Sequence, residues 1–171
     1  MREKIYVSES TLGRGIFAKV AIEPRETVFY LTGRLINFDE AVTSEHGEHS
    51  IQVGLDRYVS THTPDHFPRS PARFINHSCA PNAGFVDEIR LIALNRIQPG
   101  EEIVFDYSTT MLERYWELDC MCDAPQCRGR IRDFDLLPRS WQQRYLGLGV
   151  VPDYIVEYMA SDVQVVAQQV A

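Results

Sequence analysis

The sequence predicts a mainly β domain with minor α content, closed on its C-terminal side by a cysteine-rich segment and helices. Three observations carry this. Short runs rich in β-branched and aromatic residues, separated by Gly, Pro and Asp, fill residues 1 to 107. Three of the four cysteines crowd into "DCMCDAPQCRG" (119–129). Behind them, apolar residues recur at helical spacing.

A chain of 171 residues makes one compact domain with a small appendage and is long enough to bury a core. Its hydrophobic (44%) and charged (24%) fractions are those of a soluble globular protein. No apolar run approaches the roughly 18 residues of a membrane span, and "MREKIYVSES" is not a signal peptide. A reducing cytoplasm is the expected setting, with export to a host cell by a route that leaves no such mark still open. The net charge of −7 argues against direct nucleic-acid binding and toward a basic partner.

In chain order, the expected strands are "IYV" (5–7), "GIFAKV" (15–20), "TVFYL" (27–31), "SIQVG" (50–54), "RYVST" (57–61), "RLIALNRI" (90–97) and "EEIVFDY" (101–107). A short helix is expected in 37–47, begun by Asn37 or Asp39. Residues 61–71 hold three prolines and read as an irregular loop. "TTMLERYWEL" (109–118) reads as helical. "LPRSWQQRYLGLG" reads as a helix starting at Pro138 and stopping at Gly147 or Gly149. In the last stretch Ile155, Met159, Val163, Val166 and Val170 form an apolar stripe with Asp153 as N-cap. That stripe packs on the domain, makes a dimer contact or belongs to a free tail; oligomeric state stays open.

The chemistry-bearing residues are few. Cys120, Cys122 and Cys127 lie within eight residues, and Cys79 stands alone upstream. Residues 120 and 122 are too close to pair comfortably, so a disulfide framework is disfavoured. A tetrahedral four-cysteine zinc site suits this spacing, with reduced structural or redox thiols as the alternatives. Gly13 and Gly15 sit at a strand entrance where the backbone could turn and approach a ligand, but the dinucleotide fingerprint is absent. Taken singly, Tyr107 reads as half-buried packing, Asp106 as a solvated edge residue and His77 as a core histidine.

Taken in order, "GRGIF" (13–17), "RFINHSCAPN" (73–82), "GEEIVFDY" (100–107) and C-x-C-x4-C-R-G (120–129) resemble the SET-domain family of protein lysine methyltransferases with its post-SET zinc segment. The resemblance covers roughly residues 5 to 132 and is closest to the small stand-alone members of bacterial type. It implies a knotted β-clip fold of short curled sheets: a SET domain over 1–115, a post-SET segment over 116–132 and a helical extension over 133–171. It implies S-adenosylmethionine as cofactor, held by Arg14, Gly15, Ile16, Phe17, Arg73, Phe74, Asn76, His77 and Tyr107 and covered by Ile131. It implies structural zinc on Cys79, Cys120, Cys122 and Cys127.

By the same resemblance the substrate is a lysine in a protein or peptide, with Tyr107 aligning amine and methyl. Phe105 leaves room for di- or trimethyllysine, and loops 37–49 and 61–71 shape the substrate groove. The chain departs from the family pattern at three places. Leu31 stands where a channel tyrosine is usual, so either Tyr30 serves instead or the channel has lost one polar wall; Arg69 and Ser70 replace Gly-Asn; and Asp123 replaces glycine. A SET fold that binds a basic partner without turnover is the rival reading, and transfer to a non-protein amine a further one.

Overall fold

The computed structural model describes residues 4–45, 49–61 and 70–169, with side chains up to Ser161. The architecture is mainly β, in short curled sheets. β1 (Ile5–Ser10) and β2 (Gly13–Ala18) form a hairpin in register from Ile5↔Ala18 to Ser10↔Gly13. β2 also pairs with β10 (Glu102–Phe105), and the far edge of β10 takes β7 (Asn76–His77) in parallel, Val104 facing Asn76 and Phe105 facing His77. Neighbouring strands lie about 4.8 Å apart, so the "NH" of one motif sits beside the end of the "GEEIVFDY" strand.

Two further sheets complete the domain. β3 (Thr27–Tyr30), β9 (Arg90–Ala93) and β8 (Ala83–Val86) form one, in the order β3-β9-β8. β4 (Arg34–Ile36), β6 (Arg57–Ser60) and β5 (Ile51–Gly54) form the other, in the order β4-β6-β5. The main core lies among the three sheets, from Ile16, Ile22, Val28, Leu31, Ile51, Val59, Phe85, Leu91, Ile97, Ile103 and Phe105. Each such side chain contributes about 1.5–3 kcal/mol by leaving water.

α1 (Phe38–Thr43) is capped by Asn37, whose Oδ1 accepts from the Glu40 amide at 2.9 Å, which decides between the two expected starts. α2 (Arg139–Leu148) begins after Pro138 and ends at Gly149 in the left-handed conformation, φ 64°. α3 (Asp153–Gln169) starts with Asp153 as its first helical residue rather than its cap. Ile155 and Met159 pack into a second core with Val86, Ile92, Leu112, Phe134, Tyr145 and Val150, so this part of the stripe faces the domain. The side chains of Val163 and Val166, and Val170 itself, lie outside the described residues, as do 62–69 of the proline-rich loop. Among the described residues no helix is long and apolar enough to cross a membrane.

The expected helix over 109–118 is not formed. A 3-10 turn spans Tyr107–Thr110, the chain then runs irregularly, and β11 (Leu118–Asp119) pairs with β12 (Arg130–Ile131). Tertiary partners take the backbone groups a helix would need. The Leu112 amide donates to Gln52 Oε1 (2.8 Å), the Met111 carbonyl accepts from the Phe134 amide (2.9 Å), and the Arg114 amide donates to Asp133. Arg114 itself adopts φ 55°, which ends any helical run.

Candidate active site and thiol cluster

The β7–β10 pairing brings Asn76, His77, Phe105 and Tyr107 side by side. Tyr107 leaves β10 into the 3-10 turn, where its amide donates to His77 Nδ1 (3.2 Å) and its hydroxyl to the Ile75 carbonyl (2.6 Å). The Phe105 and Tyr107 rings are 5.0 Å apart, and Phe105 meets Phe85 edge-on at 5.1 Å. Burial, reinforced by the Glu102 carboxylate, pushes the Tyr107 phenol up to about 12. It therefore stays protonated at neutral pH.

Asn76 joins this site to β2. Its Nδ2 donates to the Arg14 carbonyl (3.1 Å) and to Glu102 Oε1 (2.7 Å), while Ser10 holds the other carboxylate oxygen at 2.9 Å. A side chain at Gly15 would displace that carboxylate from Asn76 and Ser10, so glycine leaves room for Glu102 to sit against the strand. The Arg14 guanidinium stacks over the Phe74 ring at 4.3 Å. Ile16 is fully buried and Phe17 stacks with Tyr6.

A cavity of about 500 Å³ opens beside Tyr107. Its walls include Ala72, Arg73, Ile75, Phe105, Tyr107 and Met111, and α1 contributes Ala41 and Val42. Tyr30 is 56% exposed and does not line it, and Leu31 is buried in the main core. Ser70 is buried at the start of the 3-10 turn Pro71–Phe74, and Arg69 lies outside the described residues. Asp123 adopts φ 51°, the conformation in which glycine is most at ease and aspartate is tolerated, so this departure keeps the turn.

The late cysteines fold back onto Cys79. Atoms of His77, Cys79, Cys120 and Cys122 lie within 4.8 Å of one another. Cys79 Sγ stands 3.8 Å from Cys120 Sγ, and Cys122 Sγ accepts from the Cys79 amide at 3.4 Å. Two sulfurs bound at about 2.3 Å to one tetrahedral ion stand about 3.8 Å apart, so the donors fit zinc. Cys127 is outside the set in mutual reach, but its thiol interacts with those of Cys120 and Cys122.

The imidazole decides between His77 and Cys127 as fourth donor. His77 Nδ1 accepts the Tyr107 amide, so the proton of the neutral ring sits on Nε2. Burial is the main cause that holds this histidine down to about 4, which keeps it neutral. Nε2, 3.4 Å from Cys79 Sγ, then has a hydrogen to give to sulfur and no lone pair for a metal. Burial pushes the Cys79 thiol up to about 11. Burial also opposes ionisation of Cys122, yet the Cys79 and Ala124 amides and neighbouring thiols bring it down to about 7.

Asp106 is not the solvated edge residue it resembles in the sequence. It is 1% exposed and accepts from Arg128 Nη1 (2.6 Å) and Nη2 (2.8 Å), Tyr145 Oη (2.6 Å) and the Ser108 amide (3.1 Å). The Arg128 amide donates to Cys79 Sγ at 3.4 Å, and its guanidinium stacks over Trp141 at 4.8 Å. One arginine thus joins the thiol cluster, the residue before Tyr107 and α2. Ile131, three residues on, is buried in β12. Arg128 follows Cys127 directly, the one sequence signal that could have flagged it; nothing local flagged Tyr145.

A family model described as SET domain matches residues 13–108, more than half of the chain. Histone-lysine N-methyltransferase 2D of Homo sapiens is 31% identical over 138 residues, 74% of this chain and 2% of that protein. Histone-lysine N-methyltransferase set-2 of Caenorhabditis elegans is 34% identical over 128 residues, 68% of this chain and 8% of that protein. The chain therefore spans a small fraction of the length of the curated relatives it matches. A solved structure of KRYPTONITE in complex with mCHG DNA and SAH has the same fold, with a TM-score of 0.59 at 24% identity, covering 77% of this chain and 30% of that one. The family match runs from Gly13 to just beyond Tyr107, through every strand from β2 to β10, and this chain belongs to the SET-domain family.

Proposed function

We propose that the chain transfers a methyl group from S-adenosylmethionine to the side-chain amine of a lysine in a protein substrate, reaching di- or trimethyllysine. The observation that carries this reading is that Tyr107, Ala72, Arg73 and Ile75 line one cavity. The relatives named above are histone-lysine N-methyltransferases, which supports a lysine as the acceptor. Arg14, Gly15, Ile16, Phe17, Arg73, Phe74, Asn76, His77 and Tyr107 would hold the cofactor, with Ile131 over it. Structural zinc on Cys79, Cys120, Cys122 and Cys127 would hold that cover closed.

The cofactor supplies a sulfonium methyl, to which the amine nitrogen bonds as the sulfur–carbon bond breaks. The chain's own residues prepare the amine. Free lysine titrates near 10.4 and must arrive neutral. Ile51, Ile75, Phe105 and Met111 give the cavity apolar walls that disfavour the ammonium and keep water out. Tyr107, held protonated, acts by alignment rather than as a base: its hydroxyl is fixed on Ile75, which leaves its oxygen at a set position for the amine. Phe105 in place of a tyrosine adds no hydroxyl to crowd a methylated amine.

Labelled S-adenosylmethionine with mixed protein substrates tests this, comparing the parent with Tyr107→Phe. Label in protein that disappears in the variant supports the enzyme, and mass spectrometry of the product reads the methylation state. Cofactor binding without transfer in the parent would replace the enzyme by a SET-fold binding module for a basic partner.

A further inference from the structure

The cavity is the size of a pocket for a drug-sized ligand, and one unbranched lysine side chain fills only a fraction of it. Its remaining wall has a different chemistry. Tyr58 is 2% exposed, lines the cavity, and its hydroxyl meets hydrogen-bond geometry with no group among the described residues. Buried polar atoms are nearly always paired, and the Glu113 side chain is the neighbour available to this one. Glu113, on the same wall, forms no ion pair with any described residue. Its carboxylate is the side chain nearest to pairing with the Tyr58 hydroxyl, and it pushes the phenol further up than burial alone, although the two do not meet in full hydrogen-bond geometry. The Phe38 ring ties this wall together, 6.3 Å from Tyr58 and 5.5 Å from Tyr115. Tyr115 and Trp116 are 60% and 39% exposed. Arg73 and His49 also line the cavity, and each has an interaction partner of its own.

We propose that Tyr58, Glu113 and Tyr115 form a subsite for an arginine side chain of the protein substrate, beside the target lysine. This rests on the methyltransferase reading. The target amine is the wrong occupant, because a carboxylate partner would hold it as the ammonium and oppose transfer. A guanidinium keeps its charge, offers a fork of donors to a carboxylate and a phenol oxygen at once, and stacks on aromatic rings.

The test uses peptides with one central lysine in a neutral background and either arginine or citrulline at each flanking position. With the parent, citrulline at one position raises KM about tenfold (~1.4 kcal/mol) while kcat holds. Glu113→Gln shrinks that ratio below about twofold, and fluorescence anisotropy of the same peptides shows the same ratios without turnover. Equal KM for arginine and citrulline at every position in the parent overturns the subsite. So does discrimination that survives in a Glu113→Gln protein melting like the parent. Should that variant fail to fold, Tyr58→Phe is judged by the same criterion. A parent that methylates no peptide or protein overturns the methyltransferase reading, and the anisotropy ratios then decide the subsite alone.

Discussion

Replacing Arg128 with methionine isolates the contact that joins the rear of the chain to the residue preceding Tyr107. The side chain gives two hydrogen bonds to Asp106, at 2.6 and 2.8 Å, and both partners are nearly dry, with side-chain exposures of 8% and 0%. Hydrogen bonds to charged groups contribute about 1.5–3 kcal/mol each, and breaking a buried ion pair from one side costs about 3–5 kcal/mol. Methionine keeps a stem of similar length but removes the charge and the guanidinium's stacking on Trp141, so the loss falls mainly on the ion pair. Asp106 would keep Tyr145 and the Ser108 amide, too little to satisfy a buried carboxylate. The expected loss is about 4 kcal/mol, read from urea melts at constant slope, with a fall in melting temperature on the order of 10 °C. The double variant Arg128→Met, Asp106→Asn should recover part of it, since no lone charge remains buried. A loss below about 1 kcal/mol, or a double variant no more stable than the single one, would refute the reasoning.

Three further outcomes follow from the site. The protein should carry about one zinc per chain, lost with Cys79→Ser or by chelation; structural sites contribute on the order of 10 kcal/mol to folding, so hydrogen exchange over 115–132 should rise sharply, and unchanged metal content would remove Cys79 from the site. Cys127→Ser should lose the metal while His77→Ala keeps it, because the imidazole has a hydrogen rather than a lone pair toward the thiols; the reverse result would make His77 the ligand. Burial, countered by Tyr58 and aided by Asp133, holds the Glu113 carboxyl above the ordinary glutamate value, so between that value and the raised one the folded chain binds more protons than the unfolded chain and stability declines as pH rises. Glu113→Gln should accordingly melt higher than the parent at neutral pH, with the gain fading as pH falls from the raised value to the ordinary glutamate value; a gain independent of pH would count against it.

Much of the sheet scaffold was legible because strand runs of β-branched and aromatic residues declare themselves locally. "TVFYL", "SIQVG" and "RYVST" each became a strand within a residue of the expected ends. β8 escaped, since "AGFV" has two small residues and its glycine reads as a turn. The structure supplies the reason for that glycine: a side chain on Gly84 would press into Val150, a contact set by a segment far along the chain. The 109–118 stretch misled for a related reason. Its apolar spacing is helical, but Gln52, Asp133 and Phe134 claim its backbone, and none of them is nearby in sequence.

Motifs announced the site where chemistry needs fixed neighbours, and failed where the partners are remote. Asn76, His77 and Cys79 are adjacent because one two-residue strand must serve β10, Tyr107 and the thiols together. Tyr58 and Glu113 carry no such signature, as a tyrosine in a strand and a glutamate in an irregular run are ordinary in isolation. Their significance appears only when a buried hydroxyl is found in the same cavity wall as a carboxylate that has no ion-pair partner among the described residues. A folded chain tolerates such a pair at a cost in stability, and a substrate guanidinium would relieve both groups at once. The pH dependence of Glu113→Gln melting and its loss of arginine selectivity are therefore two readouts of one arrangement, and they should appear together.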